Sequence, residues 1–370
     1  MNYWPLTACF LCNKVESVEI ESVEKMGIKR TLLWVTGILI IVALMLYLGW
    51  EDIRQVILRA DPRVLATLCA LQVVTLATSA YQWHYLLKKN YPALPFTQVF
   101  KVNLAGSFVE SITPSVKLGG EAAKVYLLRK QAPLSYEEIT GALLVHKYVS
   151  LFPFVLICVF ILALAALFYQ LPAVAYLSFL LLLSVFGLFY RMVNKKSPGK
   201  QGQEEKEEED EQEEGAAGIP RVLKPAKKAY RFLQKASGHA GNLTSTKDRH
   251  FLFFLSLLVW GCYPVKILLV AVMLNFNVGI LTAAITTYTA YLVSMVPLFP
   301  GGLGSFEGSM AFMFSLGGLT AAEGLGIAIL SRSITYWFPL LLAAGAALML
   351  STERKNTKNA LDATIYPERK

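Results

Sequence analysis

Six stretches of this chain are apolar for long enough to cross a lipid bilayer, which takes about 20 residues of helix. They run from Thr31 to Trp50, Arg63 to Leu87, Ile139 to Phe168, Pro172 to Tyr190, Phe251 to Leu274 and Leu325 to Leu350. With 55% hydrophobic and 16% charged residues, the chain lacks the polar surface to cover so many long apolar segments in water. The expected fold class is an all-α integral membrane protein, because helices satisfy their own backbone polar groups inside hydrocarbon.

Two further regions, Phe96 to Arg129 and Val278 to Leu316, are apolar but interrupted. The first contains Ser111-Ile-Thr-Pro114-Ser-Val-Lys117-Leu-Gly119-Gly120-Glu121, and the second contains Ser294-Met-Val-Pro297-Leu-Phe-Pro300-Gly301-Gly302-Leu-Gly304-Ser-Phe-Glu307. Each places helix-breaking Pro and Gly, and then a carboxylate, where exposed backbone polar groups are expensive. Both regions read as broken helical hairpins. The carboxylate is followed by a cation in the next span at nearly the same distance, 26 positions from Glu121 to Lys147 and 25 from Glu307 to Arg332. Two units of span, broken hairpin and cation-bearing span therefore cover about Arg63 to Phe168 and Phe251 to Leu350. One intervening span, Pro172 to Tyr190, makes the second unit enter from the opposite side. The expectation is six full spans plus two broken hairpins in an inverted-topology repeat, a transporter architecture with substrate sites near the midplane. The alternative is that every hairpin arm crosses, giving ten crossings; Lys101, Asn103 and Glu110 on the first arm argue against exposing it to lipid.

The net charge of +9 does not point to nucleic acid, because Lys and Arg cluster beside the spans. With both hairpins returning to their own side, one face collects Lys14, Lys25, Lys29, Arg30, Lys88, Lys89, Arg129, Lys130, the central loop and the tail Arg354, Lys355 and Lys358, while the other has Arg54, Arg59 and Arg63 in one loop. The positive-inside rule then puts both termini in the cytoplasm, in the cell membrane. The domain plan is a leader (1–30), a first membrane half (31–190, hairpin 96–129), a cytoplasmic loop (191–250), a second membrane half (251–351, hairpin 278–316) and a tail (352–370). Within the loop, the acidic run 204–214 reads as a solvated linker. The segment 220–236 reads as a basic amphipathic helix, either lying on the anionic inner leaflet or packing on the protein's own cytoplasmic ends. The scattered cysteines imply no disulfide framework, and Cys9-x-x-Cys12 lacks the partners of a metal site, so neither metal nor cofactor is expected. Met26 is a second candidate start, and no cleavable signal peptide is evident.

Ionisable residues inside membrane sequence are functional candidates by default. They are Glu110, Lys117, Glu121, Lys124, His146, Lys147, Lys266, Glu307 and Arg332. Helices starting at Gly119-Gly120 and at Gly301-Gly302-Leu-Gly304 direct unsatisfied N–H groups into the protein, a setting that favours an anion. With Lys147, Arg332 and Lys117 nearby, a lipid phosphate is the natural guest; Glu121 and Glu307 would recognise an attached amine, exchange protons or open and close ion pairs. Lys266 follows Pro264 in mid-span and reads as a further cavity residue or a snorkelling cation. The bland reading is that Glu121 pairs with Lys147 and Glu307 with Arg332 to hold the units together.

The residues Asn103-Leu-Ala-Gly106, Pro114, Gly119-Gly120-Glu121 and Pro297-Leu-Phe-Pro300-Gly301-Gly302-Leu-Gly304-Ser-Phe-Glu307, followed by Arg332 and Tyr336-Trp337, resemble the flippase-like membrane domain of lysylphosphatidylglycerol synthases. The resemblance implies a multi-pass lipid translocator. Departures are the missing glycine pair after the first proline, Glu121 where aspartate is common and Lys147 where arginine is expected; they bear on head-group preference. The chain ends 20 residues after Leu350, so a stand-alone member without the aminoacyl-transferring domain is expected.

The function read from these residues is movement of a phosphate-containing lipid, with aminoacylated and carrier lipids among the candidates, between leaflets. The alternatives are an intramembrane enzyme and a membrane scaffold for a separately encoded transferase.

Overall fold

The computed structural model describes residues 50–112, 118–168, 173–194, 243–295 and 300–365, with isolated helical positions at 39, 42, 43 and 46 and between 232 and 240. The leader, the acidic run, most of 220–236, Lys117 and the tips 113–117 and 296–299 lie outside the described residues. Among the described residues every regular element is helical. They are α1 (Trp50–Leu58), α2 (Pro62–Lys88), α3 (Phe96–Ile112), α4 (Leu118–Arg129), α5 (Tyr136–Phe168), α6 (Ala173–Asn194), α7 (Thr246–Met273), α8 (Ile280–Ser294), α9 (Ser305–Leu316), α10 (Ala321–Arg332) and α11 (Phe338–Ile365).

Local chemistry sets several of these boundaries. Asp61 caps α2 and Pro62 opens it, a position where a missing N–H is harmless. Reciprocal capping boxes start α7 (Ser245 with Asp248) and α10 (Thr320 with Glu323). A short π-helical turn, Ser333–Trp337, links α10 to α11. Among the described residues, four helices are long and apolar enough to cross a membrane: α2, residues 136–164 of α5, α7, and the α10–α11 run over residues 321–352. The hairpin legs are shorter. The 15 and 12 residues of α8 and α9 give about 22 and 18 Å at 1.5 Å per residue, against about 30 Å of hydrocarbon, and the described parts of α3 and α4 are 17 and 12 residues.

Helices α2 and α7 run antiparallel along a polar seam. Lys266 Nζ donates to Gln72 Oε1 (2.6 Å) and Thr75 Oγ1 (3.0 Å), Gln82 Nε2 donates to Ser256 Oγ (2.7 Å) and the Leu252 carbonyl (3.0 Å), and Tyr85 Oη donates to Asp248 Oδ1 (2.6 Å). Lys89 closes the seam on Asp248. Rising numbers on α2 meet falling numbers on α7, so the first helices of the two units point in opposite directions.

The core clusters show which ends lie together. One cluster joins Trp83, Leu86 and Leu87 at the end of α2 with Val99 of α3, Leu128 of α4, Ile139 of α5, Leu252 of α7 and Leu350 of α11. Both legs of the first hairpin thus open at the end where α2 finishes. A second cluster joins Val56 of α1 and Leu68 of α2 with Leu274, Phe314 of α9 and Ile327 of α10. The second hairpin opens there, and a Cβ on Gly317 after α9 would lie 2.8 Å from Thr282 Cγ2 near the start of α8.

Two details differ from the sequence reading. The connection after the first span is helical, since Ile53 and Val56 recur at helical spacing and are buried, Val56 beside Gly326 of α10. The final helix continues past Leu350 to Ile365. Of the segment 220–236, the described Ala236 is fully buried, and with Ala240 it packs its backbone over Gly141 of α5.

The proline in α7 is accommodated by a side chain. Pro264 lacks the N–H that would bond the Trp260 carbonyl, and Tyr288 Oη donates to that carbonyl instead, at 3.0 Å. Trp260 Nε1 donates to the Ser150 carbonyl (2.8 Å) in the turn before Pro153, and its ring stacks on Phe154 at 4.1 Å.

Candidate functional site

The first charged cluster is built on the first hairpin and the span after it. Glu121, in the opening turn of α4, accepts at Oε1 from Lys147 Nζ of α5 (2.5 Å) and from Lys124 Nζ one turn on (3.2 Å). Lys124 is buried, whereas the Lys147 side chain is 29% exposed. The second carboxylate oxygen, Glu121 Oε2, is buried without a partner. Glu110 of α3 lies within electrostatic range of Lys147.

Close packing of α3 on α4 brings these groups together. A Cβ on Gly120 would stand 2.7 Å from the Gly106 carbonyl, and one on Gly106 would stand 2.9 Å from the Gly120 carbonyl. Only glycine allows that approach, a membrane use of small residues. Gly120 therefore serves helix packing, where the sequence had pointed to contact with a head group. Gly119 is half-buried beside it.

The second cluster is closed upon itself. Gly301, Gly302 and Gly304 adopt φ of 63°, 67° and 79°, which side chains rarely tolerate, and so turn the chain from Pro300 into α9. Glu307, 2% exposed, accepts at Oε2 from the Gly304 N–H (2.7 Å) and at Oε1 from Arg332 Nε (3.1 Å). Arg332 Nη2 donates to the Gly301 carbonyl (2.5 Å), and its guanidinium lies between the rings of Phe306 (4.4 Å) and Tyr336 (4.8 Å). The carboxylate thus occupies the N–H that the sequence had offered to an external anion at this helix start. The π turn after Arg332 carries Tyr336, whose ring stands against Gly301; such turns are frequent at functional sites.

The two clusters are neighbours. Helix α3 touches the turn at Pro300–Gly302, and Tyr336 lies within electrostatic range of Glu110, Glu307 and Arg332 together. Of the residues singled out from sequence, Glu121, Lys147, Glu307, Arg332, Gly120, Gly301, Gly302 and Gly304 fall in these clusters. Asn103 is buried earlier on α3, where its carbonyl accepts from Ser107 Oγ. Lys266 belongs to the α2–α7 seam, bound to Gln72 and Thr75. The sequence reading missed Gln72, Thr75, Gln82 and Ser256; their signal was polar residues, two of them three apart, within an apolar span.

Residues 34–343 match the family described as lysylphosphatidylglycerol synthase TM region. The chain belongs to this family. Similar proteins are a UPF0104 membrane protein of Methanothermobacter thermautotrophicus, 22% identical over 329 residues that cover 86% of this chain and 94% of the relative. One of Methanocaldococcus jannaschii is 21% identical (88% and 96% covered) and one of Pyrococcus horikoshii 24% identical (88% and 98% covered). The match takes in both charged clusters, so this is a membrane protein whose paired motifs lie inside the family's membrane region.

Proposed function

We propose that this protein moves a phosphate-bearing lipid between leaflets, using the two charged clusters as its central polar site. The observation that carries the reading is that two carboxylate–cation pairs lie close together, where α3 touches the turn Pro300–Gly302, on two helical hairpins that open at opposite ends of the molecule. The antiparallel α2 and α7, and hairpin legs shorter than the hydrocarbon, support an inverted-topology repeat with re-entrant hairpins. An uncompensated charge at the bilayer centre costs about 2.5–3.5 kcal/mol even on insertion scales, so these charges are held as pairs, and the part-exposed Lys147 with the unpartnered Glu121 Oε2 leaves one pair open to a polar passenger. The clusters differ in a useful way: Glu121 and Lys147 are open to a partner, whereas Glu307 and Arg332 are occupied by each other and by backbone. Alternation would exchange those conditions between the two units.

In this reading both termini face the cytoplasm, because Lys88, Lys89, Arg129 and Lys130 gather at one end together with the described Ala236, Ala240 and Leu243, as the positive-inside rule requires. The passenger is a lipid with an anionic head group, the protein performs no bond chemistry, and the basic 220–236 segment rests on the anionic inner leaflet. A second reading, a membrane scaffold, draws on the complete pairing of Glu307 and Arg332.

Gentle purification followed by mass spectrometry of bound lipids separates the two. The translocase reading predicts one anionic lipid enriched over its membrane abundance and lost in the Lys147→Ala, Arg332→Ala double variant. An unselected lipid sample in both proteins contradicts it.

A further inference from the structure

The two motifs set an offset between the units: Glu307 follows Glu121 by 186 positions and Arg332 follows Lys147 by 185. At that offset α7 is the counterpart of α2, α8 of α3, α9 of α4, and the α10–α11 run of α5. Helices α2 and α7 pack on each other, and among the described residues no other pair of counterparts packs so closely. Ten residues on along α2, from Gln72 to Gln82, are matched by ten back along α7, from Lys266 to Ser256, so the two helices keep one antiparallel register. Exchanging two antiparallel counterparts returns the same pairing. The α2–α7 contact therefore straddles the pseudo-two-fold axis of the repeat.

That contact is polar and buried. Gln72, Thr75, Gln82, Ser256 and Lys266 all lie inside the protein. Thr75 Oγ1 gives its own proton to the Gln72 carbonyl (2.8 Å) and so accepts from Lys266, whose ammonium also faces the Tyr263 ring at 4.8 Å. From Gln72 to Lys89 the bonds run along about 26 Å of helix. Sliding α2 past α7 would strand these groups, a buried ammonium among them, where water does not replace the lost partners. The other contacts between the units are apolar. Leu104 of α3 packs on Ala343 and Ala346 of α11, and the counterpart contact gathers Ile285 and Tyr288 of α8 with Phe154 and Cys158 of α5. Alanines line one of these contacts and rings the other, and neither leaves a polar group unpaired when it parts.

We propose that α2 and α7 form a fixed spine on the axis between the two units, and that the hairpins and the spans after them move against it. Lys266 is then the crossbar of the spine, tying α7 to Gln72 and Thr75 of α2, and takes no part in holding the passenger. The contacts that open and close are α3 on α11 and its counterpart, α8 on α5, which exchange their arrangements as the site turns from one leaflet to the other. This inference rests on the translocase reading above.

The test uses the full chain, its own cysteines replaced by alanine, in phosphatidylcholine vesicles carrying fluorescent phosphatidylglycerol. One variant carries Gln82→Cys with Ser256→Cys across the spine, and another Leu104→Cys with Ala346→Cys across α3 and α11. Each is bridged with a short bis-methanethiosulfonate reagent before reconstitution, and leaflet transfer is read before and after the bridge is reduced. Because motions of this kind set turnover, the spine bridge should leave the rate within about twofold, whereas the α3–α11 bridge should lower it about tenfold or more until reduced. Tyr85→Cys with Asp248→Cys, and Leu104→Cys with Ala343→Cys, supply second bridges where a first pair does not fold. A spine bridge that stops transfer until it is reduced would overturn the fixed spine and leave the translocase reading standing. Undiminished transfer with the α3–α11 bridge in place would overturn the assignment of the moving contact. If the natural chain never moves the label, the translocase reading fails and the spine fails with it.

Discussion

Substituting Gly120 by alanine tests whether close approach of α3 and α4 holds the first cluster together. The added methyl would sit 2.7 Å from the Gly106 carbonyl, roughly 0.7 Å inside ordinary carbon–oxygen contact. Because that atom is backbone, relief requires the two legs to part, and overpacking of this kind costs about 1–3 kcal/mol. Alanine in a helix interior would by itself gain about 0.5–1 kcal/mol over glycine, so the proper control is a helical glycine with room. Gly345 on α11 has nothing within 4 Å of its added Cβ. That gain is common to both variants and cancels, so the expected difference in stability between Gly345→Ala and Gly120→Ala is about 1–3 kcal/mol in favour of the former. Thermal unfolding of both variants in one detergent reads the order directly. If Gly120→Ala unfolds at or above the temperature of Gly345→Ala, the close packing of the two legs does not hold the cluster, and the argument from glycine contact fails.

Removing one partner of the buried Glu307–Arg332 pair, as in Glu307→Ala, should cost about 3–5 kcal/mol, read as a lowered unfolding temperature. Arg332→Lys should keep less than half of the stability lost in Arg332→Ala, since a single ammonium cannot replace the fork that spans Glu307 and the Gly301 carbonyl. Tyr288→Phe strands the Trp260 carbonyl beside Pro264 and should cost about 1–3 kcal/mol; restoring the missing N–H with Pro264→Ala in the same chain should return much of it, measured as a double-mutant cycle. Asp248→Ala removes the acceptor shared by Ser245, Tyr85 and Lys89 and should cost about 1–2 kcal/mol, with the first loss of hydrogen-exchange protection at the start of α7.

Much of this arrangement was legible in the sequence because membranes punish exceptions. Among the described residues four of the six apolar blocks reappear as helices long enough to span, and the Pro300–Gly304 interruption is where the second hairpin turns into α9. The recurrence of a cation 25 or 26 residues after each carboxylate picked out two pairs that meet in the structure. What the sequence did not yield were features set by depth and rotation. Nothing local in Glu307 says that it folds back onto the Gly304 N–H, since that bond depends on the positive φ of Gly301, Gly302 and Gly304 around Leu303. The Lys266 position looked like the clusters' business because mid-span charge was the only signal; its neutral partners Gln72 and Thr75 become visible only when α2 and α7 lie side by side. Ile53 and Val56 were read as part of a connection because a nine-residue helix presents too few turns to show a period against its charged neighbours.

The most direct measurement of the central claim is leaflet transfer of fluorescent phosphatidylglycerol in vesicles with and without the purified protein, at matched pH on both sides. The account predicts faster transfer than in empty vesicles, with the Glu121→Gln, Glu307→Gln double variant falling to the empty-vesicle rate while remaining folded. Transfer indistinguishable from empty vesicles for every anionic phospholipid tried, or a double variant as fast as the natural sequence, would contradict it.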